Sequence, residues 1–382
     1  MFEDILNIVK RFYGEGKFIP LHEPRFVGKE KEYLAECIDS TFVSSVGKFV
    51  DLFEEMICDF TGAKYAVATM NGTSALHLAL VVGGVNRDDE VITQALTFCA
   101  TANAILYTGA SPIFLDSSTK HLGMSSGDLE RFLHENVELR NDGFSYNKKS
   151  GKRVKACVPV HIFGHPCNMK KIKSLCAKYN IILIEDAAES LGSFQNNIHT
   201  GLFGDLGIFS LNGNKVVTSG GGGVIVTSDK KIADLAKHLS TTGKVNHKWK
   251  YYHDQFAFNY RLPNINAALA CAQLENLNTF LKAKREVASY YRGEFDRIGV
   301  PLVWEPKNSK SNFWLNAIIL NDARERDKFL EFSNENGVMT RPCWELMTSL
   351  PHFCEFQRSD LKMAKSYSNA VVNIPSSVPT VP

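Results

Sequence analysis

Three short segments carry residues that could do chemistry together. The first is Ser210-Leu211-Asn212-Gly213-Asn214-Lys215, followed by Thr218-Ser219 and four glycines, Gly220 to Gly223. A lysine in a tight loop of Gly and Asn is a poor core residue, so its amine is available as a covalent nucleophile, although a plain solvated lysine would look the same in isolation. The second is Ile181-Ile182-Leu183-Ile184-Glu185-Asp186-Ala187-Ala188-Glu189. A continuous apolar run of this kind makes a buried strand, and its end delivers acids. A carboxylate there can keep a ring nitrogen protonated by ion pairing, or can simply cap a helix. The third is Asn71-Gly72-Thr73-Ser74, directly after an apolar stretch and before Ala75-Leu76-His77-Leu78. Asn71 or Thr73 can cap the helix that begins there, and the unpaired N–H groups of such a turn suit a phosphate.

Lys215 lies 29 residues beyond Asp186. An anion cradle, a proton-holding carboxylate and a reactive amine are together what pyridoxal phosphate (PLP) requires of a protein. Phe98, in Ala95-Leu96-Thr97-Phe98, adds a ring that could stack on the cofactor or could be an ordinary core residue. Other motifs point elsewhere only weakly. His161 and His165 are four apart, but Gly164 and Pro166 break helical spacing, so no metal pair is expected. There is no G-x-G-x-x-G and no phosphate-binding G-x-x-x-x-G-K-[ST], which counts against a nicotinamide enzyme and a P-loop enzyme.

The elements that must position these residues follow a regular plan. Short β-rich runs at 65–69, 90–93, 112–115, 156–163, 181–185, 207–210 and 224–227 interleave with helical stretches at 29–39, 50–60 and 73–82. This pattern predicts βαβ units and a mostly parallel sheet covered on both faces, with ligands at the carboxyl ends of the strands. Residues 138–153 are polar and read as a surface insertion. Past about 245 the character shifts to an aromatic, basic loop, long helices at 265–277 and 280–298, strands near 302 and 313–320, and a helix at 326–336. The predicted division is an N-terminal helix and arm at 1–28, a large domain at 29–245 and a small C-terminal α/β domain at 246–382.

Composition sets outer bounds. Of the 382 residues, 44% are hydrophobic and 22% charged, enough for a large core without covalent staples. A net charge of +2 predicts no strong field for nucleic acid or anionic membrane. No apolar run reaches the length of a membrane span, and residues 1–17 read as a short amphipathic helix rather than a secretory signal. The nine cysteines include no C-x-x-C pair, which fits reduced thiols in a cytoplasmic protein.

At these residues the sequence resembles the DegT/DnrJ/EryC1/StrS family of sugar aminotransferases. The matching pieces are Asn71 to Leu76, Asp89 to Ile92, Thr97 to Thr101, Glu185 to Glu189, Phe203-Gly204-Asp205, Ser210 to Lys215 and Phe258 to Leu262. The resemblance implies the type I aspartate-aminotransferase fold, a PLP cofactor that passes through pyridoxamine phosphate, and a homodimer that builds the site between subunits. It implies Lys215 as the lysine bonded to the cofactor, Asp186 at the pyridine nitrogen and Glu189 near the ring hydroxyl. Phe98 would cover one face, and Gly72, Thr73, Ser74 and Ser210 would hold the phosphate, joined by Asn259 from the second subunit. The segments Ile19 to Phe26, Asp39 to Gly47, Asn212 to Lys215 and Thr340 to Trp344 resemble the legionaminic-acid-pathway branch. That branch implies amination of C4 of a UDP-4-keto-6-deoxy-N-acetylhexosamine with glutamate as donor, in bacterial surface amino-sugar synthesis. Perosamine synthases, acting on a GDP-4-keto-6-deoxy sugar, are the neighbouring alternative. Related PLP dehydratases carry histidine where this chain has Lys215. Arg341, Lys244 and Lys248 are the cations expected near a nucleotide diphosphate.

Overall fold

The computed structural model describes residues 1–16 and 18–379. Its centre is a sheet of seven long strands: β1 (Tyr65–Thr69), β2 (Asp89–Gln94), β3 (Ser111–Leu115), β4 (Arg153–Val158), β5 (Ile182–Asp186), β6 (Leu206–Ser210) and β7 (Gly223–Thr227). Their spatial order is β1-β7-β6-β5-β4-β2-β3. The pairs β6–β5, β5–β4, β4–β2 and β2–β3 are parallel, whereas β7 runs antiparallel to both β1 and β6. The expected mixed α/β architecture with a mostly parallel sheet is therefore present. Strands β6 and β7 are buried along their whole length, as a sheet covered by helices on both faces requires. The helix Gly72–Val82 is apolar on nearly every side and sits inside this core.

A second sheet of Asn316–Ile319, Val371–Ile374 and Arg341–Pro342 is wholly antiparallel. It forms its own core with Val287, Tyr291 and Phe295 of the long helix Leu277–Ile298 and Phe329 of the helix Ala323–Glu335. The helix Phe2–Tyr13 packs here as well, burying Ile5, Leu6, Ile8 and Val9. The opening helix thus completes the C-terminal core. Between the two cores, the helix Asn264–Glu275 lies against the helices Glu30–Asp39 and Lys48–Thr61.

Three expectations change. The strand expected near Leu302 is only a single bridge to Ile318, at the edge of the second sheet. The predicted strand at 156–163 ends at Val158; beyond it Phe163 takes a left-handed φ of 54°, in a turn at Ile162–Gly164. Tertiary partners hold that turn: the His161 N–H donates to the Asp186 carbonyl and the Phe163 N–H to the Glu189 carboxylate. The polar stretch at 138–153 is a hairpin, Val137–Leu139 with Ser145–Asn147, stitched to β4 through Tyr146 and Arg153.

Candidate active site

The carboxyl ends of β5 and β6, the turn after β1 and the turn after β2 converge on one cavity of about 310 Å³. Its walls include Gly72, Thr73, Phe98, Thr101, Asp186, Glu189, Ser210, Lys215, Trp314 and Trp344. Asn71 starts the 72–82 helix by accepting the Ser74 N–H through its side chain at 2.8 Å. The first-turn N–H groups of Gly72 and Thr73 have no intrahelical partner, as at any helix start, and carry the positive end of the helix dipole. Gly72 is required by close approach: a Cβ there would lie 2.8 Å from the Ser210 Cβ and 3.1 Å from its Oγ. Gly223 is pressed in the same way, since its Cβ would meet the Asn71 carbonyl at 2.5 Å. This packing lays the helix start directly against Ser210 and makes a small anion cradle.

Asp186 ends β5. Its Oδ2 accepts from Thr101 Oγ1 at 2.8 Å, and its Oδ1 from the Ala188 N–H at 3.2 Å. Burial raises its pKa; Thr101, the Ala188 N–H, Lys215 and His161 pull the other way. A buried carboxylate in this state gains from a cation placed against it. Its neighbour Glu185 points to the opposite side of the strand and is structural. It accepts from His161 Nε2 at 3.0 Å and from the N–H groups of Gly201, Phe203 and Gly204. His161 Nδ1 accepts from the Cys167 N–H at 3.1 Å, so the ring's proton sits on Nε2, facing Glu185.

The Lys215 amine stands 3.6 Å from Glu189 Oε1 and 3.9 Å from the centre of the Trp314 ring. Burial lowers its pKa, against the pull of Glu189 and Asp186. Burial raises that of Glu189 to about 7, with Lys215 and the Phe163 N–H opposing. Both shifts favour the neutral forms, an uncharged amine beside a protonated carboxyl. Phe98 is 52% exposed in the mouth of the cavity, 6.2 Å from Trp344.

Of the residues singled out from sequence, Gly72, Thr73, Phe98, Asp186, Glu189, Ser210 and Lys215 share this cavity, and Ser74 lies one position deeper in the capped turn. Asn259 does not line it. It is exposed, bridges Thr241 and accepts from Arg261 Nε. Lys244, Lys248 and Arg341 also lie outside the cavity lining; Lys244 stacks on Tyr251 and Arg341 bonds Asn334. Sequence reasoning missed Thr101, Trp314 and Trp344. Thr101 sits three residues after Phe98, on the first turn of the helix Cys99–Tyr107, and that spacing was a usable signal. The tryptophans come from the C-terminal part of the chain, and nothing local marks them.

Pyridoxal phosphate fits this donor set. The cradle at Gly72–Ser74 and Ser210 matches its phosphate, the buried Asp186 its ring nitrogen, and the amine of Lys215 its aldehyde. The fold and cavity together define a PLP-dependent transferase. From residue 24 to 380 the chain matches the model of the DegT/DnrJ/EryC1/StrS aminotransferase family, and it belongs to that family of PLP-dependent sugar aminotransferases. It is 37% identical over 361 residues to the GDP-perosamine synthase of Escherichia coli O157:H7, covering 94% of this chain and 93% of that one. It is 34% identical to the UDP-4-amino-4,6-dideoxy-N-acetyl-beta-L-altrosamine transaminase of Campylobacter jejuni, over 66% of this chain and 63% of that one. Among solved structures it resembles Helicobacter pylori PseC, an aminotransferase involved in the biosynthesis of pseudoaminic acid. That match has a TM-score of 0.84 at 25% identity, over 94% of each chain. Among the described residues, no helix is long and apolar enough to cross a membrane.

Proposed function

We propose that the chain transfers an amino group from glutamate to C4 of a GDP-linked 4-keto-6-deoxyhexose, with pyridoxal phosphate as cofactor. One observation carries the aminotransferase reading: Asp186, the helix start at Gly72 and the amine of Lys215 border a single cavity. The choice of nucleotide is supported by the relative named GDP-perosamine synthase, which spans 94% of the chain, against 66% for the relative acting in UDP-sugar chemistry. The UDP-4-keto-6-deoxy-N-acetylhexosamine is the second reading, supported by that shorter match and by the segments around Ile19 to Phe26 and Thr340 to Trp344. Lysine at position 215 disfavours the dehydratase alternative.

When bound, the cofactor supplies an electron sink that makes a carbon-bound proton removable. The chain supplies position and charge. Asp186 would hold the ring nitrogen in its protonated state. Gly72, Thr73, Ser74 and Ser210 would hold the phosphate, and Phe98 would cover one face of the ring. Glu189, beside Lys215, would meet the ring hydroxyl. Lys215, once free of the cofactor, takes the proton from the donor carbon as a neutral base and returns one as an acid, first with glutamate and then with the sugar. Asn259 completes the phosphate site from a second copy of the chain. Its exposed position away from its own cavity is in keeping with a homodimer. The reaction is assigned to the cytoplasm and to synthesis of a bacterial surface amino sugar.

The test is direct. The purified protein, with PLP and glutamate, is offered GDP- and UDP-linked 4-keto-6-deoxy sugars, and product mass is followed. Amination of the GDP sugar at higher kcat/KM is expected. Preference for the UDP-N-acetylhexosamine would transfer the assignment to the second reading, and no aminated product from either would defeat both.

A further inference from the structure

Resting on the reading of Lys215 as the cofactor's lysine, we propose that Trp314 is a positioning residue: its indole face and the Glu189 carboxylate form a resting seat for the Lys215 amine whenever that amine is not bonded to cofactor. The amine stands 3.9 Å from the Trp314 ring centre and 3.6 Å from Glu189 Oε1. Both seat walls are fixed from behind. Trp314 is 4% exposed, and its Nε1–H donates to the Asn214 carbonyl at 2.6 Å, which ties the ring to the residue next to the lysine. Its own N–H donates to Asn312 Oδ1, and the Asn312 side chain donates to the carbonyls of Glu189 and Leu191. Asn312 thus couples the tryptophan to the segment that carries the carboxylate. Glu189 Oε2 is engaged by the Phe163 N–H at 2.8 Å, leaving Oε1 to face the amine.

A cation over a desolvated aromatic face beside a carboxylate is held by the ring quadrupole and by charge. The seat therefore favours the ammonium form of the amine against the burial that lowers its proton affinity, and it lies at the edge of the cavity that Asp186 also borders. The charged and titratable groups around the amine are Glu189 and Asp186 from the end of β5 and His22 from the arm; burial and nearby cations keep His22 neutral. Each full catalytic cycle frees the lysine once and bonds it again at the end, and the seat is where it waits between its proton transfers. Trp314 comes from the C-terminal part of the chain, so displacement of that part would release the amine.

Graded fluorination tests the seat, since fluorine weakens the ring quadrupole with little change in shape. Mono-, di- and trifluorotryptophan are placed at position 314 alone. The rate at which cofactor-free protein captures added pyridoxal phosphate, read from the visible band, is measured against pH. Its midpoint reports the proton affinity of the Lys215 amine. The midpoint is expected to fall stepwise with each fluorine, by about one pH unit in all, a tenfold loss of proton affinity. Glu189→Gln should also lower it, and Trp314→Phe should lie within the fluorinated series. An unmoved midpoint across the series overturns the seat. Borohydride reduction followed by peptide mass keeps the two claims apart. A cofactor adduct at Lys215 with an unmoved midpoint defeats only the seat, whereas an adduct at another lysine defeats the assignment on which it rests.

Discussion

At the scale of single residues, the site is a set of charges held off balance by burial. Lys215→Ala removes both the covalent anchor and the proton carrier; turnover is expected to fall by about a thousandfold or more, while the phosphate and ring contacts still retain cofactor. Steady-state kinetics and equilibrium dialysis with PLP would check the two halves, and near-normal turnover would end the assignment. Thr101 acts one step back. Its hydroxyl is a hydrogen-bond donor to the Asp186 carboxylate. Thr101→Val should cost about 1.5–3 kcal/mol of cofactor affinity, because the bond goes to a charged acceptor. The visible titration of the bound imine should also move to higher pH, because a ring nitrogen less firmly protonated by Asp186 withdraws less charge from it; a change in affinity without that movement would leave Thr101 a packing role only.

At the scale of elements, the cradle depends on how closely one helix start meets one strand end. Gly72→Ala sets a methyl 2.8 Å from the Ser210 Cβ. Separating the two by the required few tenths of an ångström should cost about 1–3 kcal/mol, concentrated in phosphate affinity. Dialysis against pyridoxal phosphate and against phosphate-free pyridoxal distinguishes the cases: only the phosphorylated form should bind more weakly. This level is also where the sequence spoke most clearly. The run Ile181 to Ile184 is apolar without alternation and reads as a strand covered on both faces, and Asn71 announced the helix it caps. Lys215 and Asp186 were legible because each sits in a sequence context with little structural use for it. The turn at Phe163 was not. Its residues, Val160 to Phe163, have strand character, and what bends them is hydrogen bonding to Asp186 and Glu189, residues more than twenty positions away. The tryptophan walls were hidden for the same reason, since an aromatic residue in an apolar stretch reads as core until the tertiary fold turns it toward a cavity.

At the scale of the whole molecule, Lys284 ties the long helix Leu277–Ile298 to the C-terminal segment. Its amine is fully buried and donates to the Ser376 carbonyl at 2.7 Å. Burial lowers its pKa from 10.5 to about 7. The unfolded chain then binds more protons than the folded one between about pH 7 and 10.5, so this group makes stability rise with pH across that window and imposes its full penalty below it. Lys284→Met should remove the rise. Melting curves should show the variant gaining most relative to the parent at pH 6 and least at pH 10; an equal difference at both would mean that the amine is not charged on unfolding. The dimer belongs to this scale too. Sedimentation equilibrium should return twice the mass of the 42.6 kDa chain, and Asn259→Ala should weaken PLP binding without changing that mass. A monomer with full activity would remove Asn259 from the site.

The packing of the helix Phe2–Tyr13 against the helices Leu277–Ile298 and Ala323–Glu335 has a consequence for synthesis. The ribosome makes this helix long before its docking surface, which is unfinished until the helix at 323–335 has emerged. Until then its greasy stripe of Ile5, Leu6, Ile8 and Val9 has no native partner, and the nascent chain needs protection or speed. What is made early is locked in late.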